Sequence, residues 1–80
     1  MNQESFSDTL ELRTKRDLDQ LENRLQGKLG GRVQNLRLDL RDSSIVLRGY
    51  AHTYYAKQLA QHAVMSETDV PILANEIEVG

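Results

Sequence analysis

Leucine recurs at helical spacing through the first third of the chain. Leu10, Leu18, Leu21, Leu25 and Leu29 fall on one stripe, which Thr14 interrupts. Asp8, followed three residues later by Glu11, has capping-box spacing and predicts the helix start. Glu11 and Lys15 then sit one turn apart on the outer face. Gly30 and Gly31 supply the left-handed backbone that ends a helix, and Gly27 inside the last turns predicts early fraying. After the glycines the period changes to two. Leu36, Leu38 and Leu40 alternate with Asn35, Arg37 and Asp39, as in a half-buried strand. "RDSS" is a polar turn, and "SIVLRGY" is a second, β-branched strand. Strands this close form an antiparallel hairpin. Ile45 and Leu47 should share the side of Leu36, Leu38 and Leu40, leaving Val46, Arg48 and Tyr50 on the other.

From Thr53 the helical period returns. Ala56, Leu59, Ala60 and Ala63 share a face, with Tyr55 and Val64 at its margins. Pro71 forbids continuation of this helix. In "ILANEIEV", Leu73, Ile77 and Val79 alternate with Ala74, Glu76 and Glu78 as a closing strand. A strand, a crossover helix and a further strand favour parallel pairing. The fold class expected is α+β: an α-β-β-α-β module with a three-stranded mixed sheet, its second strand central. Both helices should cover one face, because only one face of each strand is apolar. Residues 1–8 read as a flexible polar segment and residues 9–80 as a single domain.

Composition sharpens this picture. In a chain of 80 residues with 5% aromatics the core must be aliphatic and thin. With no cysteine, neither a disulfide nor a thiolate metal site is available. "MNQESFSDTL" has no basic or apolar stretch of a signal peptide, and no apolar run reaches transmembrane length. The net charge of −2 hides an asymmetry. Arg24, Lys28, Arg32, Arg37, Arg41 and Arg48 face only Asp39 and Asp42 in the middle of the chain. After Arg48, Glu67, Asp69, Glu76 and Glu78 face Lys57 alone. The middle is either an ordinary solvated surface or a patch for an anionic partner.

Ile45, Leu47 and Gly49 form a V-x-L-x-G-like strand. Thr53 opens the following helix, Ala60 and Ala63 lie on it, and Leu73, Asn75, Ile77 and Val79 form a V-x-N-x-I-x-V-like close. Over about residues 17 to 79 this pattern resembles the BON domain family of bacterial envelope proteins. Two positions depart from that family. Asp42-Ser43-Ser44 replaces its usual Asp-Gly turn, and Asp69 precedes Val70 where the family carries glycine. The resemblance implies a non-enzymatic module without cofactors, in the bacterial periplasm or envelope. It would bind phospholipid surfaces or mediate protein contacts.

Candidate chemistry is sparse. His52 and His62 would lie about 80° apart in azimuth and more than two turns apart in height, so they cannot share a metal. No nucleophile stands where either would act as its base. Gly49 reads as the close-packing point of a strand that feeds a helix, and Gly30, Gly31 and Asn75 as structural. Tyr55 should pack and Tyr54 face solvent. Tyr50, on the polar sheet face beside Val46, is the best hint of a contact surface. "GKLGGR" has the G-x-x-G of nucleotide-clamping KH loops, but here it joins a helix to a strand instead of two helices. The acidic net charge also argues against nucleic acid.

Two readings follow. In the first, anionic phospholipid meets either the helix-free sheet face (Arg37, Val46, Arg48, Tyr50) or a basic rim (Lys28, Arg32, Arg41). In the second, another protein or a second copy meets the sheet face or an open strand edge.

Overall fold

The structure, a computed structural model, describes Leu12 and residues 14–80. Asp8 and Glu11 lie outside the described residues. The first helix, α1, spans Lys15–Leu29, and Thr14 is its cap. The Thr14 backbone is extended, and its hydroxyl accepts the Asp17 amide at 3.2 Å. The Asp17 carboxylate accepts the Thr14 amide at 3.1 Å. A helix running unbroken from Asp8 is therefore ruled out: the residue that interrupts the leucine stripe is the one that starts the helix. The Gly27 position does not fray. The helix continues to Leu29, where Gly30 takes φ 59° and donates its amide to the Gln26 carbonyl. A 3₁₀ turn over Gly30–Arg32 then leads into the sheet.

Strand β1 (Val33–Arg41) pairs antiparallel with β2 (Ser44–Ala51). The turn between them has two residues, Asp42 and Ser43, at φ 53° and 62°. Positive φ at both positions is the type I′ geometry whose twist matches a hairpin. The turn thus keeps the tight form without the glycine that best tolerates it. Val33 and Leu36, three residues apart, are both buried in the same core. Strict alternation cannot achieve this, so one residue must be extra. Register slips by one between Gln34 and Arg37, and Asn35 takes φ 55° there. Asparagine tolerates this region better than most residues.

Gly49 lies opposite this bulge. A Cβ on it would meet the Gln34 carbonyl oxygen at 3.0 Å, the Leu36 Cα at 3.3 Å and the Val33 side chain at 3.3 Å. Its φ of 152° is also one that L residues rarely adopt. The glycine is required by the neighbouring strand, not by the crossing of a helix over its own strand.

Helix α2 spans Tyr54–Glu67, with the Thr53 hydroxyl accepting the Ala56 amide at 3.0 Å. Its buried face is Ala56, Ala60, Val64 and Glu67, with Leu59 and Ala63 partly covered. Val64 is thus central instead of marginal. Tyr55 does not pack: it is 65% exposed and Tyr54 63%.

The closing strand is two strands, β3 (Ile72–Asn75) and β4 (Glu78–Val79), and both run parallel to β2. The expected alternation fails here. Leu73 and Val79 are exposed, while Ile77 between the strands is buried. Asn75 makes the break. Its side chain donates to the Lys57 carbonyl in α2 at 3.1 Å and accepts the Ile77 amide at 3.2 Å. Such a local side-chain bond offers the backbone an alternative to the ladder. Gly31 lies in the 3₁₀ turn, but a Cβ on it would meet nothing within 4 Å and its φ is not positive, so unlike Gly30 it has no conformational need to be glycine.

The result is an α+β fold: a mixed sheet with β2 central and helices packed against it. The core is aliphatic. Leu21, Leu25 and Leu29 of α1 meet Leu36, Leu38, Ile45 and Leu47 of the sheet and the alanine face of α2 in one cluster. Each fully buried Leu or Ile contributes about 1.5–3 kcal/mol.

Candidate functional site

The basic residues do not converge. Arg32 precedes the first residue of β1 and Arg41 is its last. A strand rises about 3.3 Å per residue, so these two residues belong to opposite ends of the strand, at most about 30 Å apart along the backbone. Lys28 is engaged. Its ammonium lies 2.5 Å from the Glu67 carboxylate and donates to the Ser66 hydroxyl at 3.2 Å. Arg24 approaches the other Glu67 oxygen at 3.0 Å. Glu67 is buried, in the last turn of α2, where the helix dipole disfavours a negative charge. The Lys28 and Arg24 hydrogen bonds nonetheless hold its carboxyl below the ordinary range, with the Lys28 bond the strongest cause; burial opposes them.

The helix-free sheet face is charge-balanced. Arg37 and Arg48 are cross-strand neighbours, a repulsive pairing by itself. Arg48, however, reaches Glu76 at 3.3 Å and Asp39 at 3.8 Å, so it bridges the sheet from β1 to the β3–β4 break. Glu76, one of the late acidic residues, thus neutralises Arg48 across the sheet. Arg37 has no ion pair among the described residues.

Two members of the proposed contact face are not available to a partner in the expected way. Val46 is fully buried. It occupies the middle of the central strand between its register neighbours Asp39 and Ala74. Tyr50 is half-buried, and its hydroxyl donates to the Gly80 carbonyl at 2.6 Å. Its ring meets His52 edge-on, with centroids 5.4 Å apart.

Exposed apolar side chains gather elsewhere. Tyr54, Gln58, Gln61 and Met65 recur at i, i+4, i+7 and i+11, so they form one stripe on α2. Tyr54 and Met65 are exposed. Two shallow hollows adjoin this stripe and share Gln61. One, of about 350 Å³, lies by Tyr54, Lys57, His62 and Asn75. The other, of about 400 Å³, lies by Met65, Val70, Pro71 and Ile72. Together they line the side where α2 runs beside β3, and Leu73 on β3 is also exposed. The sequence places Tyr54 in solvent, as the structure has it, but the stripe that continues from it through Gln58 and Gln61 to Met65 was missed; the signal was the spacing, with an aromatic and a methionine at its ends.

Among the described residues the two histidines stand apart. His52 lies before α2 and His62 within it, each exposed. Among the described residues no group of His, Asp and Glu is placed to hold a metal. No described helix is long and apolar enough to cross a membrane. Compared with protein-family models, curated proteins and solved structures, the chain matches none.

Proposed function

We propose that this chain is a non-enzymatic protein-interaction module that engages its partner along the α2–β3 side. The observation that carries this reading is the exposed Tyr54–Gln58–Gln61–Met65 stripe beside β3. Eleven helical rises span about 16 Å, the length of roughly five residues of extended chain. An aromatic ring and a methionine give adaptable apolar contact at the two ends, while the glutamines and Asn75 offer hydrogen bonds between them.

The same geometry disfavours attachment to anionic phospholipid. Lys28 is held by a buried glutamate, Arg48 by two carboxylates, and Arg32 and Arg41 point from opposite ends of a strand. Membrane-surface attraction requires several basic groups within a Debye length of the same plane. The BON-like resemblance of the sequence is compatible with either role, and the α+β element order is compatible with that resemblance.

The test is a selection of linear peptides from a random display library against the intact chain, followed by an amide-shift map. Perturbation confined to Tyr54, Gln61, Met65 and Leu73, and abolished by Met65→Glu, is the result expected. Failure to select any peptide, together with sedimentation on phosphatidylglycerol vesicles but not on phosphatidylcholine vesicles, would restore the lipid reading.

A further inference from the structure

The outer edge of β1 carries a separate recognition feature, independent of the α2–β3 side. Ile45 donates its amide to the Pro71 carbonyl, and the Leu47 carbonyl accepts the Glu76 amide. The main-chain groups of Ile45 and Leu47 therefore point toward β3, and those of Val46 and Arg48 toward β1. Their register partners on β1 are Asp39 and Arg37. It follows that Leu38 and Leu40 direct their amides and carbonyls away from the sheet. The Leu38 amide does so, donating to the Glu22 carboxylate at 3.0 Å. Among the described residues no strand pairs with this edge. A hollow of about 440 Å³ lies along it, between the Lys15, Asp19 and Glu22 side of α1 and Arg37 and Asp39 of β1.

We infer that this edge pairs with β1 of a second copy, centred on Leu38. The segment is "LRLDL", Leu36 to Leu40. Laid antiparallel on itself about Leu38, it matches at every position. Arg37 stands opposite the partner's Asp39, and Asp39 opposite the partner's Arg37. Leu36 stands opposite the partner's Leu40, and the two Leu38 residues face each other. Opposite charges directly across a strand pair attract and like charges repel, so no register shifted by two residues serves as well. The pairing also covers Leu40, which is 37% exposed in the single copy. The Leu38 amide exchanges its bond to Glu22 for one to the partner's main chain. Glu22 thus competes with the second copy and keeps an otherwise open edge from pairing indiscriminately. The contact is small, so it forms and dissolves with concentration.

Sedimentation equilibrium of the intact chain from micromolar to millimolar concentration, with charge-swap variants, tests this. The native chain should show a monomer–dimer equilibrium. Arg37→Asp places two aspartates opposite two aspartates, and Asp39→Arg places arginine opposite arginine. Each alone should weaken dimerisation by about tenfold or more. An equimolar mixture of the two variants should dimerise again, because every cross-strand pair is then opposite in sign. That rescue separates recognition from damage to the fold, which mixing cannot repair. A chain that stays monomeric at millimolar concentration would overturn the inference. So would a dimer indifferent to both swaps, or one abolished by Met65→Glu, which would place self-association on α2 instead.

Discussion

Gly49 shows how one residue can be decided by its neighbour. Alternation on β1 must fail between Val33 and Leu36 for both to reach the core, and the bulge that results presses the Gln34 carbonyl toward Gly49. Gly49→Ala meets both a forbidden φ and a backbone oxygen. Urea denaturation should show a loss of about 1–3 kcal/mol from the backbone strain alone. Ser43 makes the opposite case. It holds φ 62° in a type I′ turn that favours glycine. Ser43→Gly should raise stability by about 0.5–1 kcal/mol, a left-handed strain of about 1–2 kcal/mol relieved less the extra entropy of glycine in the unfolded chain. A thermal melt several degrees higher would show it. That the turn would be tight was legible in "RDSS"; that it would keep its geometry without glycine was not, because strand pairing on both sides overrides the local preference. The cap of the described helix, Thr14, was passed over. Thr14 and Asp17 have the same spacing as Asp8 and Glu11, and the stripe of leucines drew the helix past it.

At the scale of elements, the period changes that define α2 and the hairpin were plain from the residues, since each lasts long enough to be distinct. The closing strand was not. Its split depends on Asn75 finding the Lys57 carbonyl across the fold, a contact that no spacing announces. The burial of Val46 was hidden for a related reason: polarity alternation assigns it to the open face, and alternation says nothing of what covers that face. The two helices are tied by Glu67 with Lys28 and Arg24. The folded-state pKa of Glu67 lies below its unfolded value. Its contribution is therefore fully present above the unfolded carboxylate range and is lost as pH falls through the lowered folded value. Lys28→Met leaves a buried carboxylate with one half-exposed cation. It should cost about 1–2 kcal/mol at neutral pH and flatten the acid limb of a stability–pH curve. Equal slopes for the native chain and the variant below pH ~4.3 would count against the clamp.

For the whole molecule, the parallel connection matters more than any single contact. The β1–β2 hairpin closes through two turn residues, whereas β3 reaches β2 only after the length of α2. Contacts distant along the chain are gained late in folding, and short edge strands open first in the native state. Among the amides that bridge this junction are those of Ile45, Glu76 and Gly80, which donate to Pro71, Leu47 and Ala51 respectively. In deuterium exchange they should lose their protons together, and sooner than the Val46 and Arg48 amides inside the hairpin. A single common rate for all five would mean that the sheet opens only as a whole. If they open separately, the seam that borders the α2 stripe is also the part of the chain that breathes. A partner seated there would then slow deuterium uptake at Ile45, a residue it never touches.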